Sequence, residues 1–457
     1  VGSANIVASI VMTPAANKPL TLFLALLLSL FPLTVNAVSS PAPADERAGK
    51  SFAFINGQWF DGRAFRRRTF YSTGGVLTDQ RPRTVDEVID LKNGYVVPPF
   101  ADAHCHHFDA PYNVNQQAEM YLREGVFYAA AQGNSRSGAL KVADKVNKPA
   151  GVDVAYSHGG LTRTFGHGLE VFETLALGLI PTTEVIEANK ERIAASRRRE
   201  NDAYYILDTA EDLSRKWPKI LEGRPDFIKL YLLHSDEFDE RLRKIPNIKL
   251  GHIGLDPRLV PLVVQKAHAA GLRVSAHVEN AADYRVALSG GVDIMAHLPG
   301  YYFPLDEDPN DYRLSEKDAK ETARRKVWVI PTPNLPQSFN DAATLRRVEE
   351  VAKHNLGLLK KHRARIAFGA DAYGSTPVEY LLYIAGLGVF TNLELLNIWC
   401  EDTPRLIFPS RRIGRLKNGF EASFLVLDGN PLEDFRQVKN IRLRFKQGLP
   451  LNVAAKK

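Results

Sequence analysis

The stretch "YVVPPFADAHCHHFD", residues 95–109, runs from apolar residues straight into three histidines and two aspartates. A buried strand that ends in groups able to bind protons or metal is what the carboxyl end of a parallel strand offers in an α/β protein. Extended backbone turns residues two apart to the same side. His104 and His106 can therefore face one partner, while Cys105 points away and His107, on the other side of the alternation, has the weaker claim on metal or substrate.

The same form recurs along the chain: "GVFYAAA" (125–131), "GVDVAYS" (151–157), "PDFIKLYL" (225–232), "GLRVSAH" (271–277), "GVDIMAH" (291–297), "KVWVIPT" (326–332) and "RIAFGAD" (365–371). With the opening stretch these make eight short apolar strands, separated by segments of helical character. "DPRLVPLVVQKAHAAG" (256–271) has Asp256 as N-cap, Pro257 at the first helical position and Gly271 as its stop, and "ENAADYRVALSGG" is likewise closed by glycine. Strands alternating with helices imply a parallel sheet covered on both faces. No glycine-rich dinucleotide fingerprint follows any strand, so an α/β fold of the (β/α)8 TIM-barrel kind is expected rather than an open doubly wound sheet.

In such a barrel the chemistry lies at the carboxyl ends of the strands. His104 and His106 follow the first strand, Lys229 lies near the end of the fourth, His277 ends the fifth, His297 ends the sixth and Asp371 follows the eighth. A lone histidine at any of these places reads as a structural residue, but six groups in one positional series read as a metal site. Both ends of the chain look β-rich instead: "SFAFINGQWFDG" and "EVIDLKNGYVVPP" near the start, and residues 414–448 near the end, alternate and carry Asn-Gly or Asp-Gly turns. The expected organisation is a small β-sandwich domain built from 51–98 and 411–457, with the barrel at 99–410.

At 457 residues, 45% hydrophobic and 24% charged, the chain can bury a large core and is neither disordered nor a multi-span membrane protein. "LTLFLALLLSLFPLTVNA" (20–37), preceded by Lys18 and closed by Val35-Asn36-Ala37, reads as a secretory signal, so residues 1–37 are expected to be a signal peptide, 38–50 a solvated linker, and the protein periplasmic or secreted with no stable membrane span after cleavage. Met12 followed by "TPAANKPL" would make a conventional start to that signal. The two cysteines, Cys105 and Cys400, are too few and too placed for a disulfide framework. The net charge of +7 comes from scattered basic residues not interleaved with aromatics, which argues against nucleic-acid binding.

These motifs together resemble the amidohydrolase superfamily, especially its imidazolonepropionase-like and prolidase-like branch. "DAHCH" resembles the family's H-x-H, "PDFIKLYL" its fourth-strand lysine, "RVSAHVE" and "VDIMAHLPG" its fifth- and sixth-strand histidines, and "IAFGAD" its eighth-strand aspartate. The closing segment is similar too, although Glu421 and Ser423 stand where Asp-Ala-Asp is more usual. The resemblance implies two divalent metal ions, most economically zinc, held by His104, His106, Lys229, His277, His297 and Asp371, with Lys229 carbamylated as a bridging ligand and Asp371 as the catalytic base. It implies Tyr231 and His167 as substrate-binding residues. The expected reaction is metal-activated hydroxide attack on an amide-type bond of a dipeptide, N-acyl amino acid or cyclic amide, a small-molecule substrate; a homo-oligomer is compatible with the sequence.

Alternatives stay open at this level. One is a lactonase or esterase of the same fold. Another is a mononuclear, deaminase-like hydrolase using His104, His106, His277 and Asp371 with Glu279 as proton shuttle, although Glu279 reads more simply as a surface or helix-start carboxylate. The non-enzyme alternative is a metal-retaining binding module.

Overall fold

The structure is a computed structural model that describes residues 50–339 and 341–453. The signal, and all of the linker but Lys50, lie outside the described residues. Eight parallel strands form the centre: β1 (Phe100–Cys105), β2 (Val126–Ala131), β3 (Asp153–Tyr156), β4 (Phe227–Tyr231), β5 (Arg273–His277), β6 (Ile294–Met295), β7 (Trp328–Val329) and β8 (Arg365–Ile366). β1 to β3 pair in sequence order, as do β4 to β8. Their residues are buried on both faces almost throughout, which is why they read as continuous apolar runs instead of alternating ones.

The opening stretch divides at its two prolines. Tyr95–Val97 pairs with other terminal strands, and the barrel strand begins only at Phe100, because Pro98 and Pro99 have no N–H to carry a ladder across. The third strand is also interrupted. β3 pairs with β2, and three residues later Gly160–Thr162 joins β4 through Leu161 and Leu230. The second join there is Asp226, whose N–H donates to the Tyr156 carbonyl at 2.8 Å while its carboxylate accepts from Tyr156 N–H at 2.7 Å.

β8 returns to β1. Ala103 N–H donates to Phe368 O at 2.8 Å, Asp371 N–H to His104 O at 2.7 Å, and Cys105 bridges Ala372 in parallel. The two strands approach so closely at Gly369 that a Cβ there would lie 2.6 Å from His104 N. Beneath this seam the Asp102 carboxylate accepts from His104 N–H at 3.0 Å, Ala370 N–H at 3.2 Å and Tyr121 Oη at 2.8 Å.

The helices start and stop as the sequence implies. Asp256 accepts from Arg258 N–H at 2.9 Å; a single 3-10 turn (Pro257–Leu259) then opens the helix Val260–Ala269, and Gly271 follows at φ 72°. Asn280 and Asp283 form a reciprocal capping box on the helix Ala281–Gly290. Asp283 also accepts from Ser235 N–H at 2.7 Å, so the cap ties the loop after β4 to the loop after β5.

Strands from the two ends of the chain share one eight-stranded mixed sheet, in which Phe424–Leu427 pairs antiparallel with Tyr95–Val97. Its own core is aromatic, with Phe424 4.8 Å from Phe54, 5.2 Å from Trp59 and 4.7 Å from Phe445 between ring centroids. The buried Lys446 ammonium fastens this sheet to the barrel, donating to Asp153 Oδ1 at 2.7 Å and Gly151 O at 2.6 Å. Arg411 binds the other Asp153 oxygen at 2.8 Å and both oxygens of Glu421 at 2.9 Å. Glu421 therefore has a structural partner, whatever residue relatives carry there.

Asp102 yields a test of the seam. Asp102→Ala would leave two buried backbone N–H groups without an acceptor, at about 1–3 kcal/mol each, and the Tyr121 hydroxyl with only His107 Nδ1 beside it, partly offset by relief of a desolvated carboxylate. A net loss of at least about 2 kcal/mol in urea unfolding is expected. A variant as stable as the parent would show that the backbone bonds alone hold the seam.

Candidate active site

The carboxyl ends of the strands surround a cavity of ≈ 200 Å³. All eight residues singled out from the sequence line it: His104, His106, His167, Lys229, Tyr231, His277, His297 and Asp371. Tyr301 and Tyr373 line it as well, and sequence reasoning did not find them. Tyr373 follows Asp371 by two residues, is 63% exposed, and lays its ring on His106 at 4.7 Å and 8°.

Each imidazole is oriented by a bond on one nitrogen. His104 Nδ1 donates to Ala296 O at 2.9 Å, which leaves Nε2 as a lone pair 3.3 Å from Asp371 Oδ1. His106 Nδ1 lies 3.3 Å from Gly133 O, and its Nε2 is 2.8 Å from the same Asp371 oxygen. His297 Nδ1 meets Thr332 Oγ1 at 2.6 Å and lies 3.7 Å from Asp371 Oδ2. Burial holds His104 and His297 well below the ordinary histidine pKa and His277 down at about 4. These rings are neutral near pH 7, with lone pairs available.

Asp371 adopts φ 53°, a conformation rare outside glycine, asparagine and aspartate. Burial works against its charge, but His104 and the hydrogen bond with His106 outweigh this and hold the carboxyl well below its usual range. Donor atoms of His104, His297 and Asp371 lie within 4.8 Å of one another. Lone pairs of neutral rings aimed at a carboxylate oxygen require a cation or a proton between them. The donor set fits a divalent metal of imidazole and carboxylate preference.

Lys229 is 1% exposed, and its Nζ has one hydrogen-bond partner among the described residues, Gln132 Oε1 at 3.4 Å. That oxygen already accepts from Ser275 Oγ at 2.6 Å, and Gln132 Nε2 donates to Ala103 O at 2.7 Å. Burial lowers the lysine pKa to about 7. The alternative of a rim lysine paired with an acidic neighbour does not describe this side chain.

Tyr231 is held by absent side chains: a Cβ on Gly160 would fall 2.3 Å from its ring, and one on Gly133 2.3 Å from its hydroxyl. The His167 ring packs against it at 5.2 Å and against His277 at 4.6 Å. Glu170 lies 2.9 Å from His167 Nδ1, and though burial opposes the charge, this carboxylate raises the His167 pKa above its ordinary value. One reading is corrected. Glu279 stands just before the N-cap Asn280, but its carboxylate is turned inward and not to the surface or the helix: it is 2.9 Å from His277 Nε2 and accepts from Tyr301 Oη at 2.7 Å, and burial notwithstanding these partners hold its pKa at about 2. His107 turns away from the cavity into the core, with Nδ1 3.0 Å from Tyr121 Oη.

No family model matches the chain. Over 186 residues it is 26% identical to the ochratoxinase of Aspergillus niger, a match that spans 39% of this chain and 37% of that relative, little more than a third of its length. Among solved structures, a prolidase complexed with N-methylphosphonate-L-proline superposes at TM-score 0.66 with 18% identity, covering 89% of this chain and 100% of that one. The A. niger ochratoxinase gives 0.64 and 17%, covering 88% and 95%. A Xaa-Pro dipeptidase with bound methionine gives 0.63 and 16%, covering 88% and 99%. The carboxyl-end cavity and the closed ring of parallel strands thus belong to a fold shared with the amidohydrolases, the prolidases and the fungal ochratoxinase.

Proposed function

We propose that this protein is a metal-dependent hydrolase of amide-type bonds in small molecules, with dipeptides and N-acyl amino acids foremost and cyclic amides next. The observation that carries the reading is the buried Lys229 amine, which has no carboxylate partner among the described residues, in a cavity lined by five imidazoles and one carboxylate. The amide chemistry of the relatives supports it, since prolidases and dipeptidases are among the structural neighbours.

His104, His106, His277, His297, Asp371 and a carbamylated Lys229 would hold two divalent ions, zinc being the ion such a nitrogen-rich set suits. Ions bound there would lower the pKa of water towards ~7 and polarise the scissile carbonyl. The carbamate would supply oxygens that an ammonium lacks, and a lysine that is substantially neutral near pH 7 is one that can react with CO₂. Asp371 Oδ1 is engaged by two histidines, so Oδ2 is the freer oxygen to receive the proton of the attacking water. Asp371 would then return that proton to the leaving nitrogen. Tyr231 and His167 would orient the substrate; His167, raised by Glu170, suits an anionic group. The mononuclear reading gains support from Glu279 against His277, and a lactone or ester in place of the amide would use the same groups.

The amino-terminal signal supports a periplasmic or secreted protein, and the aromatic core shared by strands distant in the end sheet supports a β-sandwich domain from 51–98 and 411–457. Export predicts a mature terminus at or near Val38 by amino-terminal sequencing of the periplasmic fraction; a full-length, membrane-embedded product would count against it.

Lys229→Ala is expected to lose most of its metal by elemental analysis and to regain part of its activity with a short carboxylic acid and excess zinc. In the parent, metal uptake should depend on bicarbonate and rise as pH passes upward through about 7, where the ammonium gives way to the neutral amine. Unchanged metal content in the variant would remove the bridging role and favour a single ion. Asp371→Asn keeps the shape and one ligand oxygen but no base, so turnover should fall by ~10²–10⁴-fold. Parent-like turnover on a verified substrate would exclude Asp371 as the base.

A further inference from the structure

A second recess, of ≈ 710 Å³, opens beside the first and shares His167 and Tyr301 with it. The smaller cavity at ≈ 200 Å³ is below the ~300–1,000 Å³ of ordinary ligand sites, and the two together exceed what an amide of small groups would occupy. The charges of the larger recess are unequally matched. Each of its four carboxylates has a partner: Glu170 has His167, Glu187 has Lys190, Glu279 has His277 and Tyr301, and Glu307 has the Tyr312 hydroxyl. Of its cations, Arg241 is bound to Glu237 at 2.9 Å and to His252 O at 3.0 Å. The Lys249 ammonium has no hydrogen-bond or ion-pair partner among the described residues; nor has the His252 ring, which burial and the neighbouring cations push towards its neutral form, and both line the recess. Tyr302, 48% exposed, adds an aromatic face.

We infer that this recess is a subsite for an arm of the substrate that carries an aromatic ring and an anionic group, received by Lys249 and His252 with the ring against the tyrosines. The inference rests on the hydrolytic reading for the meaning of the word substrate, but binding to the recess can be measured without turnover. A partnerless ammonium at the wall of a concave site gains a charge-assisted bond from a carboxylate, while the neutral ring beside it gains only stacking.

The probes are terephthalamate, which joins an amide, a ring and a carboxylate, and benzamide, which lacks the carboxylate. Calorimetric titration of the full-length protein should give terephthalamate about tenfold tighter binding than benzamide, the effect of one such bond. The preference should weaken with added salt, and Lys249→Glu should bring the ratio of the two affinities to one or below. Equal binding of the two probes by the parent, or a ratio untouched by Lys249→Glu, overturns the subsite. Preference for terephthalamate in a protein that cleaves no dipeptide, N-acyl amino acid or aroyl amide leaves the subsite standing and removes the hydrolytic reading instead.

Discussion

The hydrogen bonds of the Asp102 carboxylate decide whether the ring of strands closes in the geometry the site needs. Its Oδ1 accepts from the N–H of His104 on the first strand and from that of Ala370 after the eighth, so a single atom fixes the spacing of the chain segments that carry His104 and Asp371. A buried carboxylate is an expensive way to join two strands, and burial indeed drives this carboxyl up to about 7. β8 is only two residues long, and beyond it the chain must leave regular pairing in order to aim Asp371 inward. The carboxylate adds a side-chain tie among the backbone bonds that run on from Phe368 to Ala372.

The next constraint follows from the first. With the seam fixed, Asp371 Oδ1 faces the Nε2 atoms of both His104 and His106, and the carbonyls of Ala296 and Gly133 occupy the opposite nitrogens. The surrounding barrel thereby sets the tautomers and turns electron pairs towards one point. Burial keeps His104 and His297 uncharged, and the same burial keeps Lys229 close to neutrality. One cause, desolvation, prepares two kinds of donor at once.

How much of this was legible in the sequence depends on the range of the interaction concerned. Strand positions and the eight lining residues could be read because each is a local matter of an apolar run and the residue that ends it. Pro98 and Pro99 also state locally where one sheet gives way to the other. The partner of Lys229 could not be read: Gln132 lies 97 residues away, just past the end of β2, and carries no motif. Glu279 was misjudged because a carboxylate at a helix start has two directions to point, and the choice is made by Tyr301 from the next loop. His107 is the opposite case: the alternation already set it on the far side from His104 and His106, and Tyr121 stands behind it there.

Asp371 joins the long-range and local constraints. A non-glycine residue at φ 53° stores strain that only its surroundings can hold, and its own N–H is fixed to His104 O at 2.7 Å. The residue that the carboxylate faces is thus the residue that anchors its backbone. Displacing His104 would move the ring nitrogen and the aspartate together, so their separation is protected from breathing of the barrel better than either position alone. Gly369 is needed for the same reason: with any side chain there, the close approach that permits this bond would be lost. The strain, the glycine and the buried Asp102 are consequences of bringing one carboxylate and one imidazole to a fixed distance across the seam of a closed sheet.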